Sequence, residues 1–462
     1  MKDRCGTRGP SGTVCNCPLR MGFYIIRSSA RQIGRAVYSH EKEDGSFGGD
    51  DMNNKKPWYL TLVLTCCTVC ASTTLAGPPD RSLVSGRVNV MTQNLYVGAD
   101  LFKILEAQVP EEIPLKVTEI FLDIQATDFE DRAGAIAELV AKQDPHLIGL
   151  QEVSNIFVQC PGDAVVGNPN PAEELYADYL TLLLDALEAR GLDYSVGAEV
   201  TNADVEVPAV AYDPSTGAPV LEGCTPPAAA PFIDVRLVDR DVILVRSDVD
   251  YSSPLGMNFT INLTVPTEAG PVEFTRGWTA LDASVNGRTF TFFNTHLEVS
   301  GSPFARAVQF AQASELITVL GTLDTTIIAV GDFNSSAADG AFVECATPGQ
   351  NPGDPPVFFP CPTPYEVLSL NGYVDTWNQR GGPWDAGFTC CQDDLLDNED
   401  SAHDERIDLI WVRPAAGHYG GPVARGVTAG TLGDRPEDKS AGGLWPSDHA
   451  GVGARMTIRV PR

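Results

Sequence analysis

Positive charge is scarce in this chain. Its 462 residues include 32 Lys and Arg against 61 Asp and Glu, a formal charge of -29. Broad, sequence-independent binding to duplex nucleic acid needs clustered Lys and Arg, so the composition excludes that class. It leaves open a nucleic acid held through a divalent cation, which supplies positive charge locally. Beyond residue 76 there is no CxxC pair, and with it no zinc-type ligand spacing. No internal repeat is present, and nothing in the pattern marks a second hydrophobic core. The apolar stretch at residues 58–71 falls short of the ~20 residues that a membrane-spanning helix needs.

That stretch has another reading. Residues 1–51 are polar, glycine-rich and without period. Met52 is followed by a basic segment with Lys55 and Lys56, then by the apolar stretch, then by the small-residue run Thr73, Thr74, Leu75 and Ala76. This is the layout of a signal peptide over residues 52–76. It predicts Met52 as the true start, residues 1–51 as an unstructured extension, export, and a mature catalytic domain over residues 77–462. Six of the twelve cysteines precede residue 76. In an exported chain the other six suggest disulfides. Cys345 with Cys361 brackets a Pro/Gly-rich loop and is the first expected pair. Cys160 with Cys224 is the second; the adjacent Cys390 and Cys391 read as a vicinal pair, with two reduced thiols as the alternative.

Residues 325–336 read TTIIAVGDFNSS. Ile327, Ile328, Ala329 and Val330 suit a strand buried on both faces, which Gly331 is expected to end. Asp332 and Asn334 are two positions apart, so in extended chain they point the same way. A carboxylate and an amide there suit a site that grips a phosphate or a hard cation. The alternative is an Asx-turn closing the strand. Other strand-like runs also end in polar groups. Residues 87–91 lead into Thr92, Gln93 and Asn94, residues 147–150 into Gln151 and Glu152, and residues 290–293 into Asn294, Thr295 and His296. Arg406, Ile407 and Asp408 enter a strand over 409–412, and Ser447, Asp448 and His449 precede the last strand.

Thr127 to Glu130 read as a capping box opening a helix. Residues 172–190 show an apolar helical face with Tyr176, Tyr179, Leu180 and Leu183. Ser302 and Pro303 are the N-cap and first residue of another helix, with Phe304, Val308, Ala311, Leu316 and Val319 as its expected buried side. Residues 100–126 are helical in pattern, broken by Pro110 and Pro114. Asn286 and Gly287 form a two-residue hairpin turn. Asn202, Asp204 and Glu206 read as a solvated edge, with substrate contact as the alternative. The acidic stretch from Asp393 to Glu405 reads as a solvated lid, with calcium binding as the alternative.

The motif order is Asn, Gln-Glu, Asn-Thr-His-Leu, Gly-Asp-Phe-Asn, Arg-Ile-Asp, Ser-Asp-His, over roughly residues 87–460. It resembles the endonuclease/exonuclease/phosphatase superfamily, which includes deoxyribonuclease-like nucleases, inositol polyphosphate phosphatases and bacterial sphingomyelinases. The resemblance implies an α/β four-layer sandwich, two packed mixed β-sheets flanked by helices. It implies hydrolysis of phosphate esters with Mg²⁺, or Mn²⁺ or Ca²⁺ in its place. Glu152 is then the main metal ligand, with Asn94 and Asp448 near it. His449 is a general base or polarises the phosphate, and Asp408 orients it. Asp332 and Asn334 position nucleophile and phosphate. His296 is a second phosphate-side histidine with Asp239 or Asp241 as its partner, and Arg276 contacts phosphate. The implied partner is a phosphate-ester substrate: a nucleic acid, a phospholipid head group or a small molecule. No obligate protein partner is evident, and a monomer is expected. The DNA-inserting basic loops of repair nucleases and the exposed aromatic hairpin of sphingomyelinases are not evident. A catalytically inactive binding module with the same fold is the alternative.

Overall fold

Leu147–Gln151 and Ile327–Asp332 are buried at every position in the computed structural model of the chain. Strands buried on both faces belong to the inside of a layered structure. The structure describes residues 83–462 except 167–169, 268–269, 350–353, 384, 416–422 and 462. The expected extension and signal peptide lie outside the described residues.

The first sheet has eight strands. Its order is Ala424–Leu432, Gly451–Pro461, Leu83–Asn94, Leu147–Gln151, Phe232–Arg246, Asn155–Gln159 and Glu174–Asp178, with Tyr194–Val210 also paired to Phe232–Arg246. The second has six, in the order Val374–Asp375, Asp408–Arg413, Ile327–Asp332, Arg288–His296, Gly277–Val285 and Asp250–Asn258. Both are mixed. Leu83–Asn94 runs parallel to Leu147–Gln151 and antiparallel to Gly451–Pro461. Arg288–His296 runs parallel to Ile327–Asp332, which is antiparallel to Asp408–Arg413.

Side-chain alternation builds the layers. Phe292, Ile328 and Val330 face a core shared with Val90, Ile243 and Met456 of the first sheet. Phe293, Ile327 and Ala329 face the other way, onto helix Pro303–Gly321. The outer face of the first sheet packs on helices Ile113–Ala126, Phe129–Gln143 and Tyr179–Glu188. Helices, sheet, sheet and helices make the four-layer α/β sandwich that was expected. Polar side chains also cross the middle: buried Asn294 donates to the carbonyls of Leu150 at 3.0 Å and Val242 at 3.3 Å.

Local expectations fared unevenly. Asn286 and Gly287 have φ of 54° and 71°, as a primed hairpin turn needs. Ser302 caps its helix by accepting from the Ala305 N–H at 3.1 Å. That helix buries Leu316 as expected, but its inward face also carries Gln309 and Gln312, and Phe304 is exposed. Its buried polar side chains have partners in the loops beside it. Thr127 ends one helix rather than opening the next, and Asp128 is the N-cap. Pro114 sits at the start of Ile113–Ala126, where a missing N–H costs nothing, so it starts that helix instead of breaking it. Residues 174–178 are a strand, and the helix begins at Tyr179 because Asp178 caps it, accepting from the N–H groups of Leu180 and Thr181. The structure joins Cys160 to Cys224, Cys345 to Cys361 and Cys390 to Cys391.

Candidate active site

The polar residues meet because of strand direction. Asn94, His296 and Asp332 end strands, Glu152 follows Gln151, and all four of those strands run the same way within their parallel pairs. Their antiparallel neighbours contribute residues from the opposite termini. Asp408 begins its strand, Arg276 directly precedes Gly277–Val285, and Asp448 and His449 precede Gly451–Pro461. In the second sheet, His296 pairs with Asp332 and Asp332 with Asp408, so three side chains form one row across three strands.

Asn94 joins the sheets. Its Nδ2 donates to Glu152 Oε1 at 3.0 Å and to Asp332 Oδ2 at 3.2 Å. Glu152 Oε2 accepts from the Val97 N–H at 2.9 Å. His449 Nδ1 lies 2.8 Å from Asp408 Oδ2, and its Nε2 lies 3.8 Å from Asp332 Oδ2 and 3.9 Å from Asp448 Oδ1. His296 Nε2 is 3.5 Å from Asp332 Oδ2. Asp332 thus stands between two imidazoles and an amide.

Burial and crowding shift the charges. Burial disfavours a charged His449, but Asp408, Asp448 and Asp332 outweigh it and hold the imidazole pKa well above its usual value. His296 goes the other way, lowered well below the usual value by burial, then by Arg276 and His449. Burial, with Asp408 adding to it, pushes Asp332 up to about 7. Burial also pushes Asp448 up to about 7, and Glu152 adds to that.

Three expectations need correction. The partner of His296 is neither Asp239 nor Asp241 but Arg276, whose Nη1 lies 3.0 Å from Nδ1. Both aspartates lie in Phe232–Arg246, beside Asn202, which donates to Asp239. A loop can bring an arginine over the ring from the adjacent strand, which pattern alone does not reveal. Gly331 does not end its strand, which runs on through Asp332. Asn334 does not extend alongside Asp332. Its φ is 47°, its N–H donates to Asp332 Oδ1 at 2.9 Å, and its Nδ2 donates to the Leu297 carbonyl at 2.9 Å. The amide therefore ties the Asp332 turn to the chain just after His296.

Other residues carry no motif. Thr389 Oγ1 accepts from the N–H groups of Ile407 and Asp408 at 3.1 and 3.2 Å, setting the start of the Asp408 strand. Gln309 Nε2 donates to the Asn334 carbonyl at 2.7 Å, and Gln312 accepts from the Glu298 N–H at 2.8 Å. Two inward glutamines in an otherwise apolar stripe were the available signal. Arg132 is fully buried and donates to the carbonyls of Leu95, Tyr96, Thr127 and Pro446, beneath both loops of the site. The acidic stretch returns to the site: Tyr96 donates to the Asp394 carbonyl, and the Gln392 N–H to that of Asp448. Strands Phe342–Thr347 and Val357–Pro362 expose Phe342 and Phe358.

Oxygen-rich side chains dominate the site. Among the described residues neither Glu152 nor Asp448 forms a salt bridge with Lys or Arg, and Glu152 disfavours charge on Asp239 and Asp448. Such a surplus of hard oxygen donors fits a divalent cation.

Comparison with known proteins agrees with the motif order. A model described as Endonuclease/Exonuclease/phosphatase family matches residues 91–449. A search of curated proteins found no match. Among solved structures, an endonuclease/exonuclease/phosphatase family protein from Bacteroides thetaiotaomicron is 16% identical with a TM-score of 0.43, covering 81% of this chain and 99% of that one. TDP2 from D. rerio, complexed with a single-strand DNA product, is 14% identical with a TM-score of 0.42, covering 80% and 99%. Truncated TDP2 from Caenorhabditis elegans is 15% identical with a TM-score of 0.39, covering 80% and 97%. The family match spans most of the chain and includes every strand end that meets at the site; the chain belongs to the endonuclease/exonuclease/phosphatase family.

Proposed function

We propose that this chain is a secreted hydrolase of phosphate esters that depends on a divalent cation. The observation that carries the reading is the row of His296, Asp332 and Asp408, with His449 seated on Asp408 and Asn94 linking Asp332 to Glu152. Hydrolysis needs a water placed in line with the leaving oxygen and neutralisation of charge on the phosphate. Glu152 and Asp448, with Asn94 beside them, would hold Mg²⁺, or Mn²⁺ or Ca²⁺, which supplies that neutralisation when bound.

The chain's own groups supply the rest. Asp408 accepts from His449 Nδ1–H, which fixes the ring and leaves Nε2 facing Asp332. With its raised pKa, His449 keeps a proton on Nε2 and donates it toward a phosphate oxygen. Arg276 has only donors, so its contact makes His296 Nδ1 an acceptor and leaves a proton on Nε2, facing the same place. Asp332, pushed up to about 7, has the basicity to accept a proton from an attacking water near neutral pH.

A panel of plasmid DNA, RNA, sphingomyelin, inositol phosphates and bis-p-nitrophenyl phosphate, each with and without EDTA, tests the reaction and sorts the substrate class. Activity should disappear in EDTA and return with Mg²⁺ or Mn²⁺. Glu152→Ala should be inactive in every arm while melting like the parent. Full activity in EDTA overturns the reading. No residue of the site is missing, so nothing favours an inactive module. Export is tested by N-terminal sequencing of secreted material, which should begin near Gly77; an intact cytosolic chain from Met1 would refute it.

A further inference from the structure

A second group of carboxylates converges away from these strand ends. Asp163 lies in the loop after Asn155–Gln159, Glu206 in Tyr194–Val210 and Asp234 in Phe232–Arg246. One carboxylate oxygen from each lies within 4.8 Å of the other two. The pairing of Glu206 with Arg236 and of Pro208 with Asp234 aligns the two strands, and the bridge from Cys160 to Cys224 anchors the loop. Asp234 stands seven residues along its strand from Asp241, roughly 20 Å at the rise of a strand.

Like charges this close repel, and burial raises the cost. Asp234 is fully buried. Its Oδ2 accepts from the N–H groups of Asp163 and Ala164, but among the described residues its Oδ1 has no hydrogen-bond partner. Burial first, and the Asp163 charge after it, hold the carboxyl above its ordinary range. Among the described residues none of the three forms a salt bridge. Arg236, the cation beside them, is committed to Asp204 through two contacts of 2.7 Å. Asp163 accepts from Asn170, and Glu206 from the Ala172 N–H at 2.6 Å, but a carboxylate has about four acceptor sites, so capacity remains. Glu206 and Ala164 also line a cleft of about 610 Å³.

We propose that Asp163, Glu206 and Asp234 bind a Ca²⁺-class cation that ties the Cys160 loop to the two strands. All three donors are hard oxygens, one from a loop and two from neighbouring strands. That set suits the flexible, oxygen-rich shell of Ca²⁺ better than the strict octahedron of Mg²⁺, and it offers no nitrogen or sulfur to a softer metal. The site is separate from the catalytic one and does not depend on it.

The experiment uses full-length Glu152→Ala protein, so that the proposed catalytic cation is not counted. After chelation, equilibrium dialysis against Ca²⁺ at about 1 mM, within the range of extracellular calcium modules, should find one ion per chain, and Ca²⁺ should raise Tm. Adding Asp234→Asn should weaken binding at least about tenfold and abolish the Tm rise. If that variant does not fold, Glu206→Gln, on a half-buried residue, gives the same reading. With Glu152 intact, Asp234→Asn should keep the parent's activity well below its Tm. No bound ion in Glu152→Ala, or equal binding after substitution of Asp234 or Glu206, overturns the proposal. An inactive enzyme that still binds the ion leaves it standing.

Discussion

Arg276 Nη1 lies 3.0 Å from His296 Nδ1. An arginine cannot accept, so this contact decides the tautomer of a fully buried imidazole. It also places a positive charge against a ring that burial already disfavours charging.

Arg276→Met should release that constraint. His296 should then titrate nearer the usual histidine range, visible by NMR of its ring, and kcat should fall about 10²-fold, the scale of a reacting group misplaced by ~1 Å. Unchanged kcat with unchanged His296 titration would remove Arg276 from the site.

Asp408 and His449 should behave as one unit. His449→Ala should lose on the order of 10²–10⁴ in kcat, the range of a positioned acid–base group. Asp408→Asn should lose activity as well, and combining the two should cost little more than His449→Ala alone. Thermal melts of each variant guard against misfolding. Losses that multiply would mean the 2.8 Å contact is not functional.

Metal should stabilise the protein more as pH rises. Asp332 and Asp448 are each raised from an ordinary 3.8 to about 7, and Asp239 to about 6. A raised carboxyl stabilises the fold fully below its unfolded pKa and loses that contribution as pH rises through the folded value. His449, also raised, loses its contribution in the same direction, above its elevated pKa. Chelated protein should therefore lose this contribution between about pH 4 and pH 8. Mg²⁺ answers the ionised carboxylates, so its Tm increment should grow over that interval. Calorimetry with and without Mg²⁺ measures it, and an increment independent of pH contradicts the charge assignment.

Gly331 should not tolerate a side chain. Its φ is 147°, and a Cβ there would run into the carbonyl of Thr295, its register partner on the neighbouring strand. Gly331→Ala must push apart the strands that carry His296 and Asp332. Unfolding in urea should show a loss of about 3 kcal/mol, combining overpacking with an unfavourable backbone conformation. A stable variant with normal kcat would show that the two strands separate without consequence.

What the sequence determined by itself is local. A short apolar run makes a buried strand, Asn286 and Gly287 make a turn, and Ser302 with Pro303 starts a helix, because each depends on neighbouring residues alone. Polar groups at the ends of apolar strands were legible for the same reason. Their motif order singles out Asn94, Glu152, His296, Asp332, Asp408, Asp448 and His449 as candidates. Tertiary structure decided which groups touch. The partner of His296 follows from the position of Arg276 before the adjacent strand, and a one-residue change of register would point those side chains elsewhere. The inward face of helix Pro303–Gly321 was decided by the loop atoms that Gln309 and Gln312 reach, which no helical period encodes. Glu206 reads in the sequence as an edge charge, and no motif singles out Asp163 or Asp234. They become a cluster only when sheet pairing and a disulfide bring distant segments together, because charge interactions depend on distance in space and not along the chain.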